Sequence, residues 1–72
     1  MTQIKASMAG TVWKVLVKKG EEVSEGQELV ILESMKMEIP IPAEGAGVVH
    51  SILVNEGDFI NEGDTLIELT TL

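Results

Sequence analysis

Apolar side chains in this chain come in short runs, mostly of Val, Ile and Leu, separated by clusters of Gly with Asn, Asp, Glu or Ser. Short β-branched runs bounded by such clusters predict strands and turns rather than helices. The pattern predicts strands near 2–6, 11–17, 28–34, 37–42, 47–54 and 65–71, with short strands around 22–24 and 59–61 completing eight. The spacing Gly20-x-x-Val23-x-x-Gly26 recurs as Gly57-x-x-Ile60-x-x-Gly63, holding one apolar side chain between two glycine turns. Each of these glycines is expected at positive φ or in close backbone approach. Alternation fails in Val15-Leu16-Val17 and Ile52-Leu53-Val54, which implies a bulge or a strand passing between sheets. Pro40 and Pro42 cannot donate to a ladder, so their segment is an edge or bonds through alternate groups. The Glu, Leu, Met and Lys of 28–39 favour a helix by propensity. Their β-branched neighbours and Pro40 oppose it, and strands are expected there.

The sequence also matches itself at a shift of 37 positions. Ile4 meets Ile41, Gly10 meets Gly47, Leu16 meets Leu53, Gly20 meets Gly57, Gly26 meets Gly63 and Leu29 meets Leu66. Two copies are too few for a solenoid, which needs about three units. They fit a pseudo-two-fold axis within a single domain spanning residues 1–72. Lys36 and Met37 fall at the junction of the halves, and the shift carries Lys36 to a position just past the chain end. The two-fold thus predicts Lys36 at one pole and both termini at the other.

Size and charge narrow the function. A chain of 72 residues buries only about 60% of its unfolded surface. Without cysteine it has no disulfide to compensate and no thiolate zinc site. The formal net charge of −7 opposes nucleic-acid binding and docking to anionic lipid. No apolar run approaches the roughly 20 residues of a membrane span, and the first residues lack a signal-peptide pattern. The expectation is a soluble, cytoplasmic protein that is a monomer in isolation. The initial Met and compact ends carry the further expectation of a complete protein rather than an excised domain.

The chain must reverse between Leu29-Val30-Ile31-Leu32 and Ile39-Pro40-Ile41-Pro42, through Glu33-Ser34-Met35-Lys36-Met37-Glu38. Tight hairpins favour Asn-Gly or similar pairs because their central residues need positive φ. This protein uses such residues freely in its other turns, yet here it places Met and Lys. A local rule broken where the rest obey it points to function. Lys36 offers a primary amine on a long mobile stem. Met35 and Met37 offer flexible apolar surface suited to recognition by partners. An enzyme acting on such an amine must remove a proton and supply an activated acyl group. The residues alone leave two readings: a modified lysine, or an ordinary hairpin with a surface lysine and two Met reaching back to the core.

Other chemistries lack parts. Ser34 and Lys36 as nucleophile and base have no evident oxyanion device. His50, the only histidine, is a shift-mate of Trp13 and reads as a surface strand residue. Asn55-Glu56-Gly57-Asp58 and Asn61-Glu62-Gly63-Asp64 lack the spaced acids and closing glutamate of a calcium loop, and solvated turns are expected.

Glu33-Ser34-Met35-Lys36-Met37, with the glycine turns and duplicated halves, resembles the biotinylation motif of biotin carboxyl carrier proteins. Essentially the whole chain is similar to the biotinyl/lipoyl-attachment domain family, and its length is closest to the single-domain biotin/lipoyl attachment proteins. The resemblance implies an all-β fold: a flattened eight-stranded barrel or sandwich of two four-stranded sheets, with the attachment lysine in an exposed hairpin. Lys18-Lys19-Gly20-Glu21 is too short for the protruding segment that some bacterial carriers have there. The resemblance further implies a carrier that is not itself an enzyme. Biotin would be joined to Lys36 by a biotin protein ligase, with Met35 and Met37 as flanking recognition residues and Glu33 and Ser34 completing the motif. The arm would serve a biotin carboxylase and a carboxyltransferase. Lipoate on the same lysine is the alternative; Met on both sides of Lys36 favours biotin. An interaction module that has lost its modification is a third reading.

Overall fold

The computed structural model describes residues 1–71, which form eight strands and no helix. They are β1 (Thr2–Lys5), β2 (Gly10–Val15), β3 (Glu22–Val23), β4 (Glu28–Ser34), β5 (Met37–Pro42), β6 (Gly47–Ile52), β7 (Phe59–Ile60) and β8 (Thr65–Thr71). All eight expected strands are present, and 28–39 is two strands rather than a helix. The strands make two antiparallel four-stranded sheets of order β1-β8-β6-β3 and β5-β4-β2-β7. These face each other as a flattened sandwich that is not closed, which is the expected arrangement of two four-stranded sheets. β5 is an edge strand, which is where Pro40 and Pro42 can sit without orphaning a ladder acceptor.

Leu29, Leu32, Leu66, Ile67, Leu69 and Val30 lie fully buried between the sheets. Each such side chain contributes roughly 1.5–3 kcal/mol relative to exposure. No polar or charged residue is buried among the described residues.

The duplication read from sequence is a structural two-fold. A shift of 37 carries β2 onto β6, β3 onto β7 and β4 onto β8, each with identical bounds. It also exchanges the two sheets, turning the order β5-β4-β2-β7 into β1-β8-β6-β3. Backbone hydrogen bonds of the turns come in the same mates. Gly20 N–H donates to Val49 C=O and Gly57 N–H to Val12 C=O, both at 2.8 Å. Gly26 donates to Ala43 C=O at 2.8 Å and Gly63 to Ala6 C=O at 2.9 Å. These glycines sit at φ of 83 to 96°, the left-handed region that a Cβ disfavours.

The bulges do not lie within the apolar triplets. Register shifts fall between Val12 and Lys14 and between Val49 and Ser51, which places Trp13 and His50 at the irregularities. The triplets take the other expected role. Leu16 N–H makes a last bond to Leu29 C=O in one sheet before the chain crosses to β3 in the other, and Leu53 to Leu66 is its mate.

The connections fix the poles. Residues 6–9 join the end of β1, beside Thr65 at the start of β8, to Gly10, which lies against the last residues of β4. Residues 43–46 join the end of β5, beside Glu28 at the start of β4, to Gly47, which pairs with Thr71. Four-residue links are too short to cross the molecule. The start of β8 therefore neighbours the β4–β5 turn, while Thr71 and the start of β1 lie at the far end. The outline is correspondingly elongated, 35 × 19 × 18 Å.

Candidate functional site

The β4–β5 hairpin is the end of the molecule remote from Met1 and Thr71. Ser34 and Met37 form its last cross-strand pair, leaving a two-residue loop of Met35 and Lys36. Their φ values are 53° and 64°. Two consecutive positive φ values are the signature of a type I′ turn, whose twist matches that of the flanking strands. They are the only non-glycine residues with positive φ among those described. Each costs roughly 1–2 kcal/mol relative to a right-handed conformation.

Packing behind the turn holds it there. β4 is bonded on both sides, to β2 and β5. Its Leu29, Val30 and Leu32 are fully buried, so its register cannot slip without turning them outward. Gly10 adds a constraint that the sequence did not reveal as one. A Cβ on Gly10 would stand 2.7 Å from the Glu33 carbonyl oxygen and 3.3 Å from Ser34 Cβ. The bare glycine lets β2 lie close against the two residues that lead into the turn. Its identity with Gly47 under the shift was the available signal, since Gly47 meets Thr70 C=O at the same 2.7 Å.

The five motif residues divide by position. Lys36 is exposed at the apex. Met35 and Met37 beside it are 88% and 64% exposed, so neither reaches back to the core. Ser34 is half-buried inside the ladder, and Glu33 is exposed and pairs directly with Glu38. The apex thus presents one primary amine between two apolar, polarizable side chains, on a rigid support.

The rival chemistries find no assembly. Ser34 belongs to the ladder and Lys36 to the loop beyond it, and His50 is exposed on the other sheet. No group of three or more metal-ligating side chains occurs among the described residues. The acids of the two Asn-Glu-Gly-Asp turns have a local use: Asn55 N–H donates to Asp58 Oδ2 and Asn61 N–H to Asp64 Oδ2, both at 2.8 Å. Their mates bond alike, Lys18 N–H to Glu21 Oε1 and Ser24 N–H to the neutral amide oxygen of Gln27, each at 3.1 Å. An uncharged amide serves as well as a carboxylate, so these are turn-closing bonds.

Comparison with known proteins bears on the same features. The Biotin_lipoyl family model, described as "Biotin-requiring enzyme", matches residues 2–69. The biotin/lipoyl attachment protein of Bacillus subtilis (strain 168) is 58% identical over 41 residues, covering 57% of this chain and 56% of that protein. The biotin carboxyl carrier protein of acetyl-CoA carboxylase from Solanum lycopersicum is 55% identical over 42 residues, covering 56% of this chain and 60% of that protein. The chain thus spans little more than half the length of these two relatives. A solved single-chain, multi-domain long-chain acyl-CoA carboxylase superposes with a TM-score of 0.93 at 34% identity, over 99% of this chain and 7% of that one.

Proposed function

Because the chain belongs to the Biotin_lipoyl family, we propose that it is a biotin carrier whose Lys36 receives biotin in amide linkage and whose chemistry is all performed by partners. The observation that carries this reading is the amine at the apex of a left-handed two-residue turn, remote from Met1 and Thr71. A freely exposed primary amine between two exposed Met fits covalent attachment, since nothing has to move before an enzyme can enclose it.

Each residue has a part in the proposed reaction. A biotin protein ligase removes a proton from Lys36 Nζ. The nitrogen lone pair then forms a C–N bond to biotin's carboxyl carbon, activated with ATP, and the activating group departs. Met35 and Met37 supply the apolar surface that the ligase closes over. Glu33 and Ser34 anchor the turn in the ladder. Bound biotin supplies a site that can hold a carboxyl group.

The domain's own contribution is delivery. A tethered group meets its two working sites at millimolar effective concentration for a short flexible tether, without dissociating. The proposed sites are those of a biotin carboxylase and a carboxyltransferase, as implied by the carboxylase membership of relatives. The carrier works as a monomer in this reading.

Incubation with biotin, ATP and a biotin protein ligase, followed by intact-mass measurement and peptide mapping, tests the proposal. One biotinyl group on Lys36 is the expected product. Loss of one positive charge should also take the formal net charge from −7 to −8 and delay elution from an anion exchanger. An unlabelled chain, beside a known acceptor that labels fully, would overturn it. A parallel arm with lipoate and a lipoyl ligase should give far less product.

A further inference from the structure

The pseudo-two-fold gives each outer-face position a mate on the opposite sheet in the same backbone setting. A chemical difference between mates therefore marks a demand that the fold itself does not make. On the outer face of the β1-β8-β6-β3 sheet Gln3, Glu22, His50 and Ser51 are polar, the Ser51 hydroxyl donating to Glu68 Oε1 at 2.8 Å, and Val48 between Glu22 and Thr70 is the apolar exception, its mate being Thr11. On the β5-β4-β2-β7 sheet, which bears Lys36, the mates of those four polar residues are Pro40, Phe59, Trp13 and Lys14, and the mate of Glu68 is Ile31.

The chain has one Trp, one Phe and no Tyr. Both aromatics lie on this one face and neither is in the core: Trp13 is 41% exposed and Phe59 69%. Phe59 pairs with Thr11, Thr11 with Glu33, and Glu33 with Glu38. In the adjoining row Lys14 pairs with Ile31 and Ile31 with Pro40, and Lys14 Nζ lies 5.4 Å from the Trp13 ring centroid. Phe59 thus shares a row with Glu33 and Glu38, the strand positions that lead into the hairpin, and Ile31, Pro40 and Trp13 lie in or beside the next row.

The rim adds a second asymmetry. Glu33 and Glu38 stand directly opposite each other on the outer face, and like charges so placed destabilise a sheet. Their mates by the shift are Thr70 and Met1, whose side chains carry no charge and of which Met1 precedes β1 and is unpaired. A fold with no need of this repulsion keeps it only beside Lys36.

We propose that the outer face of the β5-β4-β2-β7 sheet is the docking surface for the enzyme that acylates Lys36. That enzyme presents an apolar hollow to Trp13 and Phe59, and basic side chains to Glu33 and Glu38. The inference rests on the carrier reading above. Exposed aromatics are the residues that most often anchor interfaces, and the paired acids call for a cationic counterpart. The acylating enzyme is the occupant because its reaction takes place at Nζ itself. Its surface must come within one lysine stem of the hairpin and hence against the adjoining sheet. An enzyme acting on the far end of a long arm is not so confined.

The mates supply the test. Trp13→His and Phe59→Glu install residues that the equivalent backbone positions already carry, with Trp13→Gln and Phe59→Thr as a second pair should the first fail to fold. The full chain is titrated as substrate for a biotin protein ligase with biotin and ATP, and product is read by intact mass. The double variant should raise KM for the carrier about tenfold or more and change kcat by less than about twofold. Glu33→Gln with Glu38→Gln should raise KM and flatten its dependence on NaCl. Glu22→Ala with His50→Ala, on the opposite face, should leave KM unchanged. An unchanged KM in a folded double variant, with wild type fully modified, overturns the docking surface and leaves the carrier reading standing; an unmodified wild type overturns both. Unchanged acylation with impaired carboxyl loading would assign the face to a different enzyme. A wild-type dimer in sedimentation that Phe59→Glu dissociates would assign it to a second copy of the chain.

Discussion

At Met35 and Lys36 the backbone holds a conformation that neither side chain favours, and the two residues have different reasons for being there. In the proposed carrier, lysine is required for its amine. Met35 contributes nothing to the core at 88% exposure, so folding does not explain its place in the turn, and the proposed carrier reading assigns it to recognition. Met35→Asn should therefore raise stability by about 0.5–1 kcal/mol, since Asn tolerates the left-handed region. For a domain of this size that is a rise in Tm of a few degrees. The same change should slow modification of Lys36, and thermal melts beside ligase rates would show the two effects moving in opposite directions. Lys36→Arg keeps an exposed cation in the turn; it should abolish attachment and alter unfolding by less than about 0.5 kcal/mol in a urea titration. This residue-level conflict was legible in the sequence, because the chain places Gly, often with Asn or Asp, in the turns around 20, 26, 45, 57 and 63 but Met and Lys in the one at its midpoint. The outward aim of both Met was not, since a flexible thioether can lie on a surface or fill a gap equally well.

Glycines at the ends of the elements divide by mechanism. Gly63, at φ 88°, has open space where a Cβ would go, so Gly63→Ala acts through backbone conformation alone. It should cost about 1–2 kcal/mol. Gly10 has an ordinary backbone but no room, because a Cβ would meet the Glu33 carbonyl at 2.7 Å. Gly10→Ala must push β2 away from β4 and should cost about 1–3 kcal/mol as an overpacking. The two are separated at the hairpin: Gly63→Ala should leave the ligase rate of the folded protein unchanged, whereas Gly10→Ala should lower it by moving Glu33 and Ser34. Local spacing was enough to foresee the first class, since Gly-x-x-Val-x-x-Gly marks a turn, a buried side chain and a second turn. The second class depends on a neighbour 23 positions away, which no local pattern encodes. The same limit displaced the bulges. Three apolar residues in a row signal that alternation fails, whereas the register shift beside Trp13 is set by pairing with Leu32 and Ile31 across the sheet.

For the whole molecule the consequential fact is that each sheet draws two strands from each half of the chain. The first half supplies β2 and β4 to one sheet and β1 and β3 to the other; the second half supplies β5 and β7, then β6 and β8. Within a half, only β2 with β4, or β6 with β8, are ladder partners. The remaining ladders, β1 with β8, β2 with β7, β3 with β6 and β4 with β5, all join one half to the other. A separated half would retain a single two-stranded ladder with its apolar face in water, an arrangement that is marginal at best. Duplication at the sequence level therefore does not mean two folding units. Peptides 1–36 and 37–72 should each be unfolded by circular dichroism, and mixing them should restore β signal and a cooperative melt at a midpoint that depends on concentration. The cut falls in the turn that carries the amine, so the reassembled pair should be structured yet modified far more slowly than the intact chain, because Lys36 would then be a frayed chain end rather than the apex of a closed turn. A half that folds alone would show that the two-fold joins independent units, and the rigid support inferred for the hairpin would have to be sought within β2 and β4 alone.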